Sequence, residues 1–348
     1  MKTQERVFFS LDSFPCSTEV TISTTKHYVP NQSIKFLKED LLGKSLNVDL
    51  NEGFNPDREE PDWTLWDGGW KHLLNSLLFL GKRLQAKSRK YNLKSAKSRK
   101  YNLKSVLEGA EVVCCRGAAA NIASSVYDSN DSGFKLHVDK FNGVLFIKEV
   151  ITEARLEETG RRNEWQKKTS WWGHKLETTL AGKGREYAAF LTKINANYKT
   201  REDEVKIFCV AEVDCRDSLE NFVEIKAQAN RLSYNDGKFQ KKAMKWWIQS
   251  TLIGVEELVV GFRDNDGILF RADKVNLEDL RERCDDWDGQ VCFQAVQHCF
   301  NQIRKQFDDL VGENQMLVLE RKPLSRDIVY SVVPKIEILN KEFRDFFT

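Results

Sequence analysis

The sequence predicts an α/β fold of the mixed (α+β) kind, with central mixed β-sheets flanked by helices. Short runs rich in Val, Ile and Phe recur along the chain, as is typical of buried strands. Between them, longer segments repeat apolar residues at helical spacing. The 348 residues are 41% hydrophobic, which is enough to bury a large core, and no Pro- or Gly-rich linker divides them. We therefore expect a single domain over 1–348.

Three segments are predicted to be helices, over 69–84, 241–254 and 291–310. The apolar stripe of the first comprises Trp70, Leu73, Leu74, Leu77, Leu78 and Leu84, and that of the last comprises Cys292, Val296, Phe300, Ile303, Phe307 and Leu310. Because such a stripe needs an apolar surface to pack against, these helices should cover the sheets.

Strands are predicted where the apolar runs are short, over 111–115, 143–150, 205–213, 221–227, 257–263 and 267–271. The sequence Arg-Asp-Asn-Asp-Gly between the last two is typical of a tight β-hairpin. Those two strands should therefore pair antiparallel.

Charge is distributed unevenly along the chain. Positions 68–107 contain eleven Lys and Arg and no Asp or Glu, which leaves the remainder acidic although the formal net charge is only +2. The decamer AKSRKYNLKS at 86–95 recurs at 96–105. We interpret the basic duplication at about 82–105 as an inserted helix extension or surface loop. The alternative is nucleic-acid contact or nuclear targeting, since an uneven charge favours an anionic partner.

Composition also bears on the compartment. The amino terminus has acidic residues beside a very short apolar run, unlike a signal peptide, and no window approaches eighteen apolar residues. Eight cysteines occur without a Cys-x-x-Cys pair, which favours free thiols in a reducing environment. We expect a nuclear or cytoplasmic protein that is neither secreted nor inserted in a membrane.

The most informative residues lie in two consecutive predicted strands. Glu212 and Asp214 are two residues apart, as are Glu224 and Lys226, so each pair should share a strand face. If the two strands are neighbours in one sheet, the four ionisable groups converge. Carboxylates so close raise one another's pKa unless a cation lies among them.

A divalent metal is the cation that this pattern favours. Oxygen-only ligands suit Mg²⁺ or Mn²⁺, and the five scattered histidines have no zinc spacing. A pattern of Asp followed, after about ten residues of any type, by Glu-x-Lys is typical of strand-borne sites in metal-dependent phosphodiester nucleases. The other interpretation is an edge strand whose charges pair across the sheet and face solvent.

Three further features support a phosphate-processing site. Glu177 follows an aromatic-rich amphipathic segment, and Gln249 lies inside an otherwise apolar predicted helix. Arg116 and Gly117 follow a buried strand and precede a helical run. An Arg at a helix start can bind phosphate together with the backbone N–H groups there.

These pieces, in this order, resemble the motifs of the DXO decapping exoribonuclease family, whose fold is related to the PD-(D/E)xK nucleases. The matching segments are CCRG, GHKLE, EVDC, EIKA and KWWIQS. The resemblance runs from about 111 to 304, and TTKHYVP near the amino terminus is similar to a basic-aromatic-Pro segment of the family. Cys115 stands where family members usually have Trp.

The resemblance implies a role for each matched position. Glu177, Asp214 and Glu224 would bind one or two Mg²⁺ or Mn²⁺ ions directly, Glu212 would bind a second metal or a bridging water, and the Ile225 carbonyl would complete the shell. Lys226 and Gln249 would hold the scissile phosphate or the attacking water. Arg116 would contact the RNA backbone, with Cys115, Gly117 and Lys26 also on the substrate side.

The function implied is that of a metal-dependent hydrolase of RNA 5′ ends. It would remove incomplete or non-standard caps (unmethylated, dinucleotide or triphosphate ends) and degrade RNA 5′ to 3′. The alternative is a non-catalytic family member that binds RNA 5′ ends or a partner exoribonuclease.

Overall fold

The computed structural model describes residues 6–12, 20–27, 34–57, 67–90, 103–128, 132–195 and 204–348. Their strands, named in chain order, are β1 (Arg6–Ser10), β2 (Thr21–His27), β3 (Val48–Asp49), β4 (Val112–Cys115), β5 (Phe134–Phe141), β6 (Val144–Val150), β7 (Glu186–Asn195), β8 (Val205–Val213), β9 (Cys215–Arg216), β10 (Phe222–Ala229), β11 (Glu257–Arg263), β12 (Ile268–Asn276), β13 (Gln315–Arg321) and β14 (Asp327–Pro334).

The helices of these ranges are α1 (Trp70–Lys90), α2 (Leu103–Val106), α3 (Arg116–Ser125), α4 (Glu153–Gly160), α5 (Glu164–Ala181), α6 (Gly237–Thr251), α7 (Leu277–Glu282), α8 (Gly289–Leu310) and α9 (Lys341–Phe347). All three predicted helices and all six predicted strands are present, in α1, α6, α8, β4, β6, β8, β10, β11 and β12. In this part of the chain no helix is long and apolar enough to cross a membrane.

The strands form two mixed sheets, as the fold class predicted. The larger has the order β1-β14-β13-β5-β6-β4-β8-β7-β2, and the smaller has the order β3-β12-β11-β10-β9. In the larger sheet β4 is parallel to both β6 and β8, so their carboxyl ends meet at one edge. In the smaller sheet β10 is parallel to β11, and the predicted hairpin pairs β11 antiparallel with β12.

Helices cover both faces of the larger sheet. The apolar stripe of α1 packs with residues of β4, β6 and β8 and with Phe343 of α9, whereas α3, α6 and α8 share a second cluster on the opposite face. Five of the six predicted stripe residues of α1 are buried, but Leu84 is 38% exposed. The helix therefore leaves the core in its last turns.

The basic duplication is described only at its two ends. Helix α1 continues to Lys90, so the first part of the segment extends that helix, and α2 begins at Leu103. Positions 91–102, which hold half of the first decamer copy and seven residues of the second, lie outside the described residues. The roles suggested for the duplication stay predictions, as does the single domain over 1–348.

The smaller sheet carries its own apolar layer, which positions one wall of the site. Helix α5 packs on it through Trp172, Leu176 and Leu180, which share a buried apolar cluster with Val223 and Ile225 of β10. A capping box at Asn163 and Gln166 fixes the start of α5.

Candidate active site

The candidate site lies where the chain passes from one sheet to the other. Strand β8 ends at Val213 in the larger sheet, and β9 begins at Cys215 in the smaller sheet, so Asp214 occupies the crossing. The expectation that β8 and β10 are neighbours in one sheet is wrong. Strand β10 pairs with β9 and β11 instead. Asp214 reaches β10 because the chain crosses there, and not through strand pairing.

One edge of β10 is open beside this crossing. The two-residue strand β9 pairs only with Phe222 and Val223, so the edge is left open from Glu224 onwards in the described structure. The backbone N–H of Ile225 points out from that edge and donates to Asp214 Oδ2 at 2.7 Å. Since N–H and C=O of one residue face the same edge of a strand, the Ile225 carbonyl faces the crossing as well.

Glu224 is buried at this edge between two cations. Its Oε1 accepts from Arg116 Nη1 at 2.5 Å, and its Oε2 accepts from Lys226 Nζ at 2.6 Å. Burial alone would raise the pKa of Glu224, but the charges of Arg116 and Lys226 outweigh it and hold the pKa well below the usual range. Glu224 is therefore ionised and fixed in position.

The side chains of Asp214 and Glu177 are buried near other carboxylates, and this environment raises the pKa of both. Burial and then the charge of Glu224 raise the pKa of Asp214 to about 6. Burial and then the charge of Asp214 raise the pKa of Glu177, on α5, to about 7. Glu212 also acts on Glu177, so four carboxyls share one electrostatic environment. Lys226 acts on both Asp214 and Glu177, so the four groups expected to converge share this environment with Glu177, although by a different topology.

Arg116 and its neighbours line a cavity beside the carboxyl cluster. Cys115 ends β4 and is the N-cap of α3, and Arg116 is the first residue of that helix, as predicted. A cavity of about 360 Å³ is lined by Cys115, Arg116, Gly117, Glu212 and Gln249, among others. The structure thus brings together five of the predicted substrate and metal positions around one space.

Gly117 is constrained by a residue that sequence reasoning missed. A Cβ added at Gly117 would lie 2.9 Å from Oε2 of Glu149, which is buried at the end of β6. Glu149 accepts from Asn121 Nδ2 at 2.7 Å, and burial raises its pKa. Because β6 runs parallel to β4, its carboxyl end reaches the same edge of the sheet. In the sequence, Lys-Glu-Val at the end of the strand predicted over 143–150 has no feature that distinguishes Glu149 as a site residue.

Lys35 is a second residue without a local sequence signal. It lies in the segment bridged to β9, where the Arg216 N–H donates to the Lys35 carbonyl at 2.9 Å. Its side chain is only 6% exposed, and its charge lowers the pKa of Glu177. A buried lysine thus faces the carboxyl cluster from a part of the chain far from every motif.

Lys26 lies away from this group. Its Nζ is 4.8 Å from the centroid of the Phe222 ring at the start of β10, and burial lowers its pKa. Lys26 is not among the residues that line the cavity of Arg116 and Gln249. The rest of the TTKHYVP segment lies outside the described residues from position 28.

The donor chemistry of the cluster fits a hard divalent cation. The candidate ligands are carboxylate oxygens and one carbonyl oxygen, and the raised pKa values of Glu177 and Asp214 show that a further positive charge there would be stabilised. As the described side chains stand, no group of three or more His, Cys, Asp or Glu is close enough to enclose a metal ion.

Fold and site together define a class. Carboxylates and a Glu-x-Lys pair at the edge of a mixed sheet, with an Arg at a facing helix start, are the arrangement of a PD-(D/E)xK-type nuclease. The family model described as RAI1 like PD-(D/E)XK nuclease matches residues 2–344, and the chain belongs to this family. The family and fold predictions are thereby confirmed.

Individual relatives are similar over part of their length. The decapping nuclease dom-3 of Caenorhabditis elegans is 29% identical over 215 residues, covering 57% of this chain and 54% of the relative. The decapping nuclease RAI1 of Neurospora crassa is 27% identical over 277 residues, covering 68% and 65%. The chain therefore spans between half and two thirds of the length of these curated relatives.

Solved structures are similar over the whole chain. The crystal structure of Candida albicans Rai1 in complex with pU5-Mn²⁺ superposes with a TM-score of 0.67 at 17% identity, covering 99% of each chain. At that identity the likeness establishes the fold.

Proposed function

We propose that the protein is a metal-dependent hydrolase of RNA 5′ ends, which removes incomplete or non-standard caps and degrades the RNA body 5′ to 3′. The observation that carries this is the position of Glu224, held at the open edge of β10 beside Asp214 with Arg116 and Lys226 on its two oxygens. The names of the relatives, decapping nucleases, and the pU5 and Mn²⁺ bound to the Candida albicans protein support it.

Glu177, Asp214 and Glu224, with Glu212 and the Ile225 carbonyl, would hold Mg²⁺ or Mn²⁺. When bound, such a metal supplies a hydroxide nucleophile near neutral pH and stabilises charge on the phosphate.

The protein's own groups bind and orient the substrate. Arg116 lines the cavity and can donate to a phosphate oxygen bound there. Lys226 is held by Glu224, and the charges of Glu224 and Asp214 outweigh burial to raise its pKa, so it stays protonated and can stabilise charge on the leaving side. Gln249 lines the same cavity and can orient a water through its amide.

The direct test is product analysis with purified protein. RNA with a 5′-triphosphate, an unmethylated cap or a dinucleotide cap is incubated with Mn²⁺, with Mg²⁺ and with chelator. We expect products only with metal, and at least a thousandfold loss of rate in an Asp214→Asn/Glu224→Gln double variant. Lys241→Gln, an exposed change on α6, is the matched control. Metal-independent products, or none from any 5′ end, would reject the proposal.

The second candidate is a non-catalytic family member that binds RNA 5′ ends or a partner exoribonuclease. It is favoured by one observation: both oxygens of Glu224 already contact cations. In that case the double variant would retain its RNA or partner binding while the wild type forms no product with any metal.

For the compartment we propose the nucleus or the cytoplasm. Support comes from the cysteines, because the seven that the structure describes are all free and buried. A fluorescent fusion to the amino or carboxyl terminus would test this, and accumulation in secretory compartments would contradict it.

A further inference from the structure

A buried ion pair joins the two sheets beside Asp214. Glu186 is the first residue of β7 and pairs with Val213, the last residue of β8, in the larger sheet. Arg216 is the second residue of β9 and pairs with Phe222 in the smaller sheet. The two partners therefore belong to different sheets, on either side of the residue at which the chain crosses.

The ion pair has a fixed direction. Nε of Arg216 donates to Oε1 of Glu186 at 2.9 Å, and Nη2 donates to the same oxygen. Arg216 is 8% exposed and Glu186 is 3% exposed, so solvent screens the pair little. Hydrogen bonds between charged groups are strong, and the planar guanidinium makes them in a fixed geometry. The pair therefore sets both the distance between the two strand ends and their orientation.

The smaller sheet holds Arg216 through its backbone and its ring contact. The backbone N–H donates to the Lys35 carbonyl at 2.9 Å, and the carbonyl accepts from the Leu37 N–H at 2.7 Å. The guanidinium lies 5.1 Å from the centroid of the Phe222 ring, its cross-strand partner. Because the backbone of Arg216 is fixed in this way, its side chain links the position of β9 to the start of β7.

The position of Asp214 depends on this link. As the single residue between β8 and β9, it belongs to neither strand. Its Oδ2 accepts from the Ile225 N–H at 2.7 Å and lies 4.0 Å from Lys226 Nζ, both on β10. A rotation of one sheet against the other would change both distances. The contact between the sheets therefore controls the direction in which this carboxylate points.

Stability alone does not account for the ion pair. Replacing a buried ion pair by apolar side chains of similar volume is often neutral or stabilising, because the two charges lose their hydration on burial. In the part of the chain that the structure describes, Oε2 of Glu186 is buried without a hydrogen-bond partner, which adds to the cost. An apolar contact would fill the same space without fixing a direction.

We propose that Arg216 and Glu186 are positioning residues, whose ion pair holds the crossing between the sheets so that Asp214 keeps the orientation in which it binds a divalent metal. Neither residue lies in a segment that matched the family motifs. Residues that orient metal ligands in this way commonly contribute about ten- to a hundredfold to metal affinity or activity. The inference rests on the proposed function, because it assumes that Asp214 is a metal ligand.

The test compares metal affinity with stability. Calorimetric titration with Mn²⁺ and urea unfolding are carried out on the wild type, Glu186→Gln, Glu186→Met, Arg216→Met and the double variant Glu186→Met/Arg216→Met. Asp214→Asn shows whether the titrated ion binds at the crossing. Lys335→Met is the matched control, because it breaks the 2.7 Å ion pair of another buried carboxylate, Asp139, which joins β5 to the segment after β14.

We expect Glu186→Met and Arg216→Met each to weaken Mn²⁺ binding about tenfold or more. Glu186→Gln keeps an oxygen that can accept from Arg216, so its affinity should stay within about threefold of the wild type. The double variant leaves no charge buried alone, so its stability should recover towards that of the wild type. Its Mn²⁺ affinity should nevertheless remain about tenfold lower. Lys335→Met should lose stability and bind Mn²⁺ as the wild type does.

Two results would overturn the positioning role. If the double variant binds Mn²⁺ with wild-type affinity, the pair serves stability alone. If Glu186→Gln and Glu186→Met lose affinity equally, the directed hydrogen bonds to Arg216 do not matter. Should a single Met variant fail to fold, the double variant, in which no charge is unpaired, decides between the outcomes.

Failure of the positioning role and failure of the proposed function are distinguishable. If the wild type cleaves RNA 5′ ends with Mn²⁺ and the double variant binds the ion and turns over equally well, the hydrolase stands and the positioning role is rejected. If the Mn²⁺ affinities follow the expected order but no RNA is cleaved with any metal, the proposed function is rejected and the positioning role stands for metal binding. A wild type that binds no Mn²⁺ would reject both.

Discussion

Removing the charge of Arg116 should destabilise the protein through its effect on Glu224. The carboxylate of Glu224 is 1% exposed and depends on two cations, Arg116 and Lys226, for its ionised state. In Arg116→Gln one of its oxygens loses a charged donor, while Lys226 keeps the other. The variant therefore probes how strongly this carboxylate is held when no metal is present.

The magnitude follows from the geometry. Arg116 Nη1 and Glu224 Oε1 are 2.5 Å apart, and at an effective dielectric constant of 20 their attraction is about 7 kcal/mol. The desolvation of two largely buried ions offsets most of it. Lys226 also continues to neutralise Glu224 in the variant. We therefore expect a coupling free energy of about 2 kcal/mol between positions 116 and 224.

The assay is a double-mutant cycle on the free energy of unfolding. Urea unfolding, followed by tryptophan fluorescence in chelator, is measured for the wild type, Arg116→Gln, Glu224→Gln and the double variant. Repeating the cycle with saturating Mn²⁺ should reduce the coupling, because Glu224 then shares its charge with the metal. Additive changes in chelator, within about 0.5 kcal/mol, would refute the inference that Arg116 holds Glu224.

Three further outcomes are expected. Lys35→Met removes a charge that faces the carboxyl cluster, so Mn²⁺ should bind roughly threefold more tightly in a calorimetric titration; unchanged or weaker binding would contradict this. Burial and then nearby lysines lower the pKa of His137 to about 4. As the pH falls, the unfolded state therefore binds this proton before the folded state does. The free energy of unfolding should decrease as the pH is lowered from about 6.5 to about 4. In His137→Asn this loss of unfolding free energy should be smaller by about 1 kcal/mol, a value reduced to account for solvent screening. If the urea midpoints of the wild type and the variant change with pH in parallel, this explanation is refuted. Gly267 has φ +86°, and Gly267→Ala would place a Cβ 2.5 Å from the Trp172 indole ring. We expect this variant to lose about 3 kcal/mol of unfolding free energy. The control Gly43→Ala, at φ +69° with no atom within 4 Å of the added Cβ, should lose about 1 kcal/mol. Equal costs would reject the steric explanation.

Local signals in the sequence predicted the elements well. The predicted strands over 205–213 and 257–263 coincide with β8 and β11, because each is a dense apolar run between polar residues. The helix over 69–84 was also predicted, but its last apolar residue, Leu84, is exposed. Periodicity indicates which residues could face a core, and only the folded chain shows where that core ends.

The pairing of strands could not be predicted in the same way. The short connection between β8 and β10 suggested neighbours in one sheet, yet it contains β9, a two-residue strand with no distinctive pattern. Lys35 and Glu149 reach the site by contacts between distant parts of the chain, for which the sequence has no periodic signal. The motif residues could be proposed from the sequence because chemistry limits their types, whereas supporting residues are limited only by the fold.

The short strand β9 leaves the edge of β10 free at the candidate site. A longer partner strand would pair with Ile225 and Ala227 and occupy the backbone groups that now contact Asp214 and Lys242. The residues that would continue the antiparallel register opposite Ile225 and Ala227 precede Cys215 and belong to β8, so the described structure leaves the edge of β10 open beyond Val223. The crossing of the chain from β8 to β9 therefore leaves the Ile225 carbonyl free for the candidate metal site.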